Sequence, residues 1–174
     1  MHLVLTIVGD DRAGLVRALA DTVTAHGGNW ERSELAELAG AFAGIVLVSV
    51  PDDRAAELTD ALGQLEGTLR ITTHTGVAET ADAIAPADAA ARSLVFTVLG
   101  NDRPGIVRDV TAILSVHGVS IDAFTSRTLD APMAGGTLFE ATVHARVPAD
   151  ADVDAVTGAL ERLADEIQVD LSVG

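Results

Sequence analysis

Gly9-Asp10-Asp11-Arg12-Ala13-Gly14-Leu15-Val16-Arg17 returns 91 residues later as Gly100-Asn101-Asp102-Arg103-Pro104-Gly105-Ile106-Val107-Arg108, and this recurrence decides the architecture. At the same offset His26-Gly27 falls on His117-Gly118. Sliding six residues further lays Phe42 through Val50-Pro51 on Phe139 through Val147-Pro148, which places an insertion near Leu129 to Ala134 in the second copy. One more residue aligns Ala61-Leu62 with Ala159-Leu160. The chain is two copies of one unit.

The residues on either side show what the repeated stretch joins. Leu3 to Val8 and Leu94 to Leu99 precede it as apolar runs of strand length, rich in β-branched residues and each followed by Gly. Beyond it the apolar spacing becomes Leu15, Val16, Leu19, Ala20, Val23, and in the second copy Ile106, Val107, Val110, Ile113, Leu114, which is the period of a helix. His26-Gly27 and His117-Gly118 stop these helices, Gly accepting the left-handed conformation a helix end often needs. Trp30 to Leu38 and Ile121 to Leu129 follow as second strands, then Ala41 to Val50 and Leu138 to Val147 as third strands. Pro51-Asp52-Asp53 and Pro148-Ala149-Asp150 open another helix, with apolar positions Ala55, Leu58, Leu62, Leu65 and Val153, Val156, Leu160, Leu163. Leu69 to Thr75 and Ile167 to Val173 close each copy as a fourth strand.

The order βαββαβ, twice, predicts an α+β protein of two ferredoxin-like units, each a four-stranded antiparallel sheet with two helices on one face. Residues 1–77 form the first unit and 93–174 the second. Between them 78–92 holds eight Ala, three acidic residues and Pro86, with no apolar period that could cover a core, and reads as a linker.

Composition narrows the function. With 48% hydrophobic residues the chain packs a core, and with 3% aromatic that core is built from Val, Leu, Ile and Ala. Eleven basic against 26 acidic residues give a net charge of -15, which excludes a direct grip on a nucleic-acid backbone, since that affinity comes from clustered Lys and Arg. All the basic residues are Arg, a mark of a GC-rich or salt-adapted genome rather than of a mechanism. Without Cys there is no disulfide, thiol nucleophile or Cys zinc site. The first eight residues lack a basic start and are too short to span a bilayer, so a soluble cytoplasmic protein with no membrane partner is expected.

The two sheet faces differ between copies. Helices cover one face, and the outer positions of the third strand are Leu138, Glu140, Thr142, His144 and Arg146 in the second copy but Ala41, Ala43, Ile45, Leu47 and Ser49 in the first. The first is expected to be covered, by the other unit or another chain, and a homo-oligomer is expected.

Little here serves catalysis. The five His show no metalloprotease spacing, no G-x-S-x-G exists, and no cofactor or metal is expected. His26 and His117 recur, but a His near a helix end also meets the negative end of the helix dipole. The turns Gly9 to Gly14 and Gly100 to Gly105 join strand to helix without the Lys of a phosphate loop. What they offer is a helix start with unpaired backbone N–H groups, suited to a carboxylate, with Gly14 and Gly105 permitting close approach. Asp11 and Asp102 are expected to cap the turn, and Pro104 to preset the first helical φ. Asn29 and Asp122, at the starts of the second strands, are candidates to hold an α-amino group.

A βαββαβ unit whose first turn reads G-x-D-R-x-G resembles the ACT domain, a small regulatory module that commonly senses amino acids. The stretches His26 to Ser33, Gly40 to Ile45 and Pro132 to Phe139 resemble the tandem-ACT family of the glycine cleavage system transcriptional repressor. The resemblance implies a small amino acid as effector, with glycine as a candidate, a protein partner such as a transcription regulator, no catalytic activity and no DNA-binding element. The ligand set it points to is Asp11, Arg12, Gly14 and Asn29 in the first copy and Asp102, Arg103, Pro104, Gly105 and Asp122 in the second. Ala13 stands where the family usually has Pro, which favours the second turn as the better site. The alternatives are an assembly module whose turns bind nothing, and a small enzyme using Glu140, His144 or Asp122.

Overall fold

The computed structural model describes residues 1–65, 67, 69–76, 91–130, 136–162 and 168–173. The expected linker apart from residues 91–92, the second-copy insertion around 131–135, Leu163 and Ile167 lie outside these. The chain divides into two compact units, Met1–Ala83 and Ile84–Gly174.

The first unit runs β1 (His2–Asp10), α1 (Leu15–Ala25), β2 (Asn29–Leu38), β3 (Ala41–Ser49), α2 (Ala55–Gly63) and β4 (Arg70–Gly76). The second runs β5 (Arg92–Asn101), α3 (Ile106–Val116), β6 (Ser120–Asp130), β7 (Thr137–Val147), α4 (Val153–Glu161) and β8 (Gln168–Val173). Each sheet is antiparallel, in the orders β2-β3-β1-β4 and β6-β7-β5-β8. This is the expected arrangement.

Why these segments form helices is visible at their ends. Leu15, Leu19 and Val23 on α1, and Ile106, Val110 and Leu114 on α3, recur every four residues and are buried. Past α1 the Gly28 N–H reaches the Val23 carbonyl at 2.9 Å and the Gly27 N–H reaches Thr24 at 3.0 Å; past α3 the Val119 and Gly118 N–H groups do the same to Leu114 and Ser115. This is the Schellman closure, and it uses carbonyls that would otherwise lack partners. The His26 Nδ1–H donates to the Thr22 carbonyl at 2.8 Å, so it completes its own helix end.

The second helices begin later than the sequence suggests. Asp52–Arg54 forms a single 3₁₀ turn before α2. At α4 the chain waits for Asp152, whose carboxylate accepts from the Ala155 N–H at 3.1 Å and so fixes the helix start at Val153.

Alternation along the strands supplies the cores. Leu3, Leu5, Ile7, Val46 and Val48 meet Leu19, Val23, Leu58 and Leu62 in the first unit; Leu94, Phe96, Val98, Ala141, Val143 and Ala145 meet Val110, Leu114, Val156 and Leu160 in the second. Burying each Leu, Val or Phe contributes about 1.5–3 kcal/mol. Among the described residues the other face of each sheet carries no element of its own unit, and on the first unit Ile45 is 50% and Val8 42% exposed.

Candidate functional site

Both repeated turns fold alike. Gly14 (φ 93°) and Gly105 (φ 87°) are the N-cap residues of α1 and α3, held in the left-handed region. The recurrent glycines therefore answer a backbone need first. A Cβ at Gly14 would meet nothing within 4 Å, so close approach is not what demands the glycine there. Neither helix start has a side-chain cap, which corrects the expectation for Asp11 and Asp102. Their backbone N–H groups instead bind the following hairpin, Asp11 to the Gly40 carbonyl at 2.9 Å and Asp102 to Thr137 at 2.8 Å. Pro104 stands two residues before the first helical residue, Ile106, and presets the turn rather than the helix. The Ile106 N–H donates back to the Arg103 carbonyl at 3.3 Å, so at α3 only the N–H groups after the first are left without an intrahelical partner.

The side chains part company. In the second turn Asp109 takes Arg103 Nη1 at 2.8 Å on Oδ2, and Arg108 Nε and Nη2 at 3.0 and 2.9 Å on Oδ1. The Arg103 and Arg108 guanidinium groups hold the Asp109 carboxyl below its ordinary range. Ala18 occupies the matching position in the first unit, so Arg12 reaches back to Asp10 at 3.4 Å and Arg17 pairs along the helix with Asp21 at 3.6 Å. Arg103 is committed to its own helix, and Arg12 is only loosely held.

Beside the first turn lies a cavity of about 570 Å³, lined by Val8, Gly9, Asp10, Ala41, Gly67, Leu69 and Arg70. In the sheet register Arg70 stands opposite Val8 and Asp10 opposite Ala41. Arg70 and Asp10 are thus diagonal neighbours, with Cβ atoms roughly 7–8 Å apart. Among the described residues Arg70 has no ion-pair partner, so a cation and a carboxylate face one space without neutralising each other. Sequence reading passed over both. Arg70 is one of few basic residues in its unit, but only the β1–β4 pairing brings it beside the turn.

Asn29 and Asp122 lie elsewhere. Asn29 pairs with Ser49, which pairs with His2, at the end of the sheet opposite the turn. Eight steps of strand separate His2 from Asp10, roughly 26 Å. Within one unit Asn29 and the turn cannot share a small ligand. Asp122 is the extra residue of a β-bulge between Ile121 and Ala123, and accepts from Arg146 Nε at 2.8 Å. Its counterpart is Glu31, in the bulge between Trp30 and Arg32 and 3.2 Å from His2 Nε2; the 91-residue offset itself points to it. Glu140 is in an exposed pair with Arg127 at 2.7 Å. The enzyme candidates Asp122 and Glu140 are thus both tied to arginines.

The ACT domain family matches residues 1–76 and again residues 94–165. The chain belongs to the ACT-domain family. Over 99% of its length this tandem ACT protein is 28% identical to the glycine cleavage system transcriptional repressors of Escherichia coli K12 and Shigella flexneri, covering 88% of each. A crystal structure of an unknown protein from Galdieria sulphuraria superposes with a TM-score of 0.85 at 31% identity, covering 99% of this chain and 98% of that one. A solved structure ascribed to a glycine cleavage system transcriptional repressor superposes at 0.68 with 17% identity over 99% and 98%, which bears on the fold alone. The chain is a regulatory tandem ACT protein homologous to that repressor. Among the described residues no helix is long and apolar enough to cross a membrane.

Proposed function

We propose that this chain is a non-catalytic sensor that binds a small α-amino acid, glycine being one candidate, and passes its state to a protein partner in the transcriptional control of amino-acid metabolism. The observation that carries the reading is the cavity beside the first turn, which Arg70 and Asp10 both line without pairing with each other, Asp10 being held only by Arg12 at 3.4 Å. An α-amino acid is a zwitterion. Arg70 supplies a planar fork for its carboxylate, and Asp10 an acceptor for its ammonium. Val8, Ala41 and Leu69 add an apolar wall, and the bare backbone at Gly9 and Gly67 lets a small ligand sit close. The resemblance favours the second turn, whose Asp102-Arg103-Pro104-Gly105 is intact; the engagement of Arg103 by Asp109 favours the first. The partner reading rests on homology to a repressor and on a net charge of -15, which disfavours contact with DNA by this chain alone.

Affinity should be modest. Glycine has about five heavy atoms, and a ceiling of roughly 1.5 kcal/mol per atom allows at best about 7.5 kcal/mol, a dissociation constant of several micromolar. Both charged side chains are exposed, so tens of micromolar to millimolar is the expected range. Calorimetric titration of the full chain with each of the twenty amino acids tests the reading. At least one should bind, Arg70→Ala should weaken it by tenfold or more, and Arg103→Ala should weaken it less. Binding lost equally in Arg103→Ala but kept in Arg70→Ala would move the site to the second turn. If none of the twenty binds at millimolar concentration, the sensor reading falls and the assembly module takes its place.

A further inference from the structure

We propose that the cavity beside the first turn selects α-amino acids that carry an apolar side chain of about leucine's length, in preference to glycine; this rests on the sensor reading above and concerns the part of the ligand that the two charges do not hold. Those charges occupy one side of the cavity. Asp10 ends β1, and Arg70 opens β4 at the edge of the sheet, so a zwitterion held between them lies near that edge. On the other side of β1 the register sets Ala41 directly opposite Asp10, and Leu38 directly opposite Ala41. The adjoining level runs Arg70, Val8, Ala43, Ala36. Opposed residues share a face, so both levels lie on the side of the sheet away from the helices.

Together they form a trough. Ala41, Ala43 and Ala36 carry one carbon each beyond the backbone, and they lie between Val8, 42% exposed, and Leu38, which at 79% is the most exposed large apolar residue among those described in the first unit. Neighbouring strands are about 4.8 Å apart, so Leu38 stands roughly 10 Å from Asp10. An apolar chain of three or four carbons, leaving the ligand's α-carbon towards β2, crosses Ala41 and meets the Leu38 side chain coming the other way. Beyond Asp10 and Arg70, the described residues that line the cavity offer no polar side chain, so a carboxylate or amide at the end of that chain finds no partner there.

Size points the same way. A cavity of about 570 Å³ equals the liquid volume of roughly nineteen waters at about 30 Å³ each. Glycine's five heavy atoms leave most of that wet and leave Val8 and Ala41 uncovered. Each methylene laid on the trough tightens binding about twofold if half covered and about fourfold if fully buried.

The second unit lacks both halves of the arrangement. Asn101 stands where the first unit has Asp10, and the register places Gln168 opposite Leu99 as it places Arg70 opposite Val8. Leu138 and Glu140 replace Ala41 and Ala43, and Glu140 pairs at 2.7 Å with Arg127, which replaces Ala36. The charges for a ligand's head and the room for its chain are present together in one unit and absent together in the other.

Calorimetric titration and competition with the full chain test this, using glycine, L-alanine, L-2-aminobutyrate, L-norvaline, L-leucine and, as a polar control, L-glutamine. The dissociation constant should fall with each added carbon, reaching about tenfold or more between glycine and leucine, and glutamine should bind no tighter than alanine. Leu38→Ser removes an exposed side chain; it should lower the leucine-to-glycine preference about threefold or more, while Leu129→Ser, at the equivalent level of the second unit, should leave that preference at the wild-type value. A variant that merely loosened the fold would weaken both ligands alike, so the ratio separates contact from stability. Glycine binding within twofold of leucine or tighter overturns the proposal and leaves the sensor reading standing. A preference that Leu38→Ser does not change, or that Leu129→Ser abolishes, overturns the placement of the chain over Ala41. If none of the six binds at millimolar concentration, the sensor reading falls and this inference falls with it.

Discussion

The two turns that share one motif differ in what holds their arginines. At the second, Asp109 on α3 collects Arg103 and Arg108 into one cluster; at the first, the corresponding position is Ala18, and Arg12 and Arg17 go separate ways. The backbones are nearly superposable, with Gly14 at φ 93° and Gly105 at 87°. A repeated motif thus fixes a repeated backbone, while a residue outside the motif decides whether its charges face a ligand or the protein.

The largest expected effect tests how alike the backbones are. Val in the left-handed region costs about 1–3 kcal/mol, because its branched Cβ crowds the following carbonyl. Gly14→Val and Gly105→Val should each destabilise their own unit by that amount, measured by urea unfolding. At Gly105 the new Cβ also meets the Arg108 guanidinium at 3.3 Å, but that is the end of a flexible side chain and should add little. A loss at one turn more than twice that at the other would break the equivalence. Because both variants are strained, neither separates ligand binding from folding, which is why the side-chain variants at Arg70 and Arg103 are the better binding probes.

A smaller effect separates the units at their second helices. The Asp152 side chain caps α4, whereas α2 follows a 3₁₀ turn with Arg54 at its N-cap and no side-chain cap. Asp152→Ala should cost about 1 kcal/mol. For a unit of this size that lowers the melting temperature of the second unit by roughly 4–8 °C. Asp53→Ala, in the 3₁₀ turn of the first unit, should change it by much less, as scanning fluorimetry of the two variants would show.

These contrasts also mark what could be read from residues alone. Strand and helix spans were legible because each is set by local rules: alternation along Leu3 to Val8, the four-residue step from Leu15 to Val23, the Gly after each His. The inward and outward faces of β3 and β7 were legible for the same reason. Pairings between distant strands were not. That Asn29 lies a sheet's length from the turn after Asp10, and that Arg70 lies beside it, depends on β1 pairing with both β3 and β4, a long-range fact no periodicity carries. Glu31 and Asp122 occupy matching bulges, yet one was missed because a bulge shows only when its partner strand is in place. Caps failed similarly: Asp11 and Asp102 are good capping residues in the right neighbourhood, but the left-handed Gly after them turns the chain so that only their backbone is used.

The smallest effect sharpens the comparison of the two turns most directly. Asp109 has its pKa lowered by hydrogen bonds from Arg103 and Arg108, and no equivalent carboxylate exists at Ala18. A carboxyl whose pKa is lower folded than unfolded stabilises the protein fully above the unfolded value of about 3.9, and loses that contribution as pH falls through the folded value. Asp109→Asn should therefore melt slightly below the wild type at pH 7, and the gap should close as the pH is taken below about 4. Raising salt to 1 M at pH 7 should narrow it too, since the arginines are partly exposed and the pairs are screened. Ala18→Asp should do the reverse to the first unit: its new carboxylate would draw Arg12 away from Asp10 and Arg17 from Asp21. If Arg12 together with Arg70 serves the cavity, Ala18→Asp should weaken amino-acid binding in calorimetry while leaving stability at pH 7 unchanged or slightly raised. Asp109→Asn should leave that binding as it was. A gap between Asp109→Asn and wild type that persists unchanged at pH 3 would show that Asp109 acts through packing and not through its charge, and the electrostatic account of the difference between the turns would have to be given up.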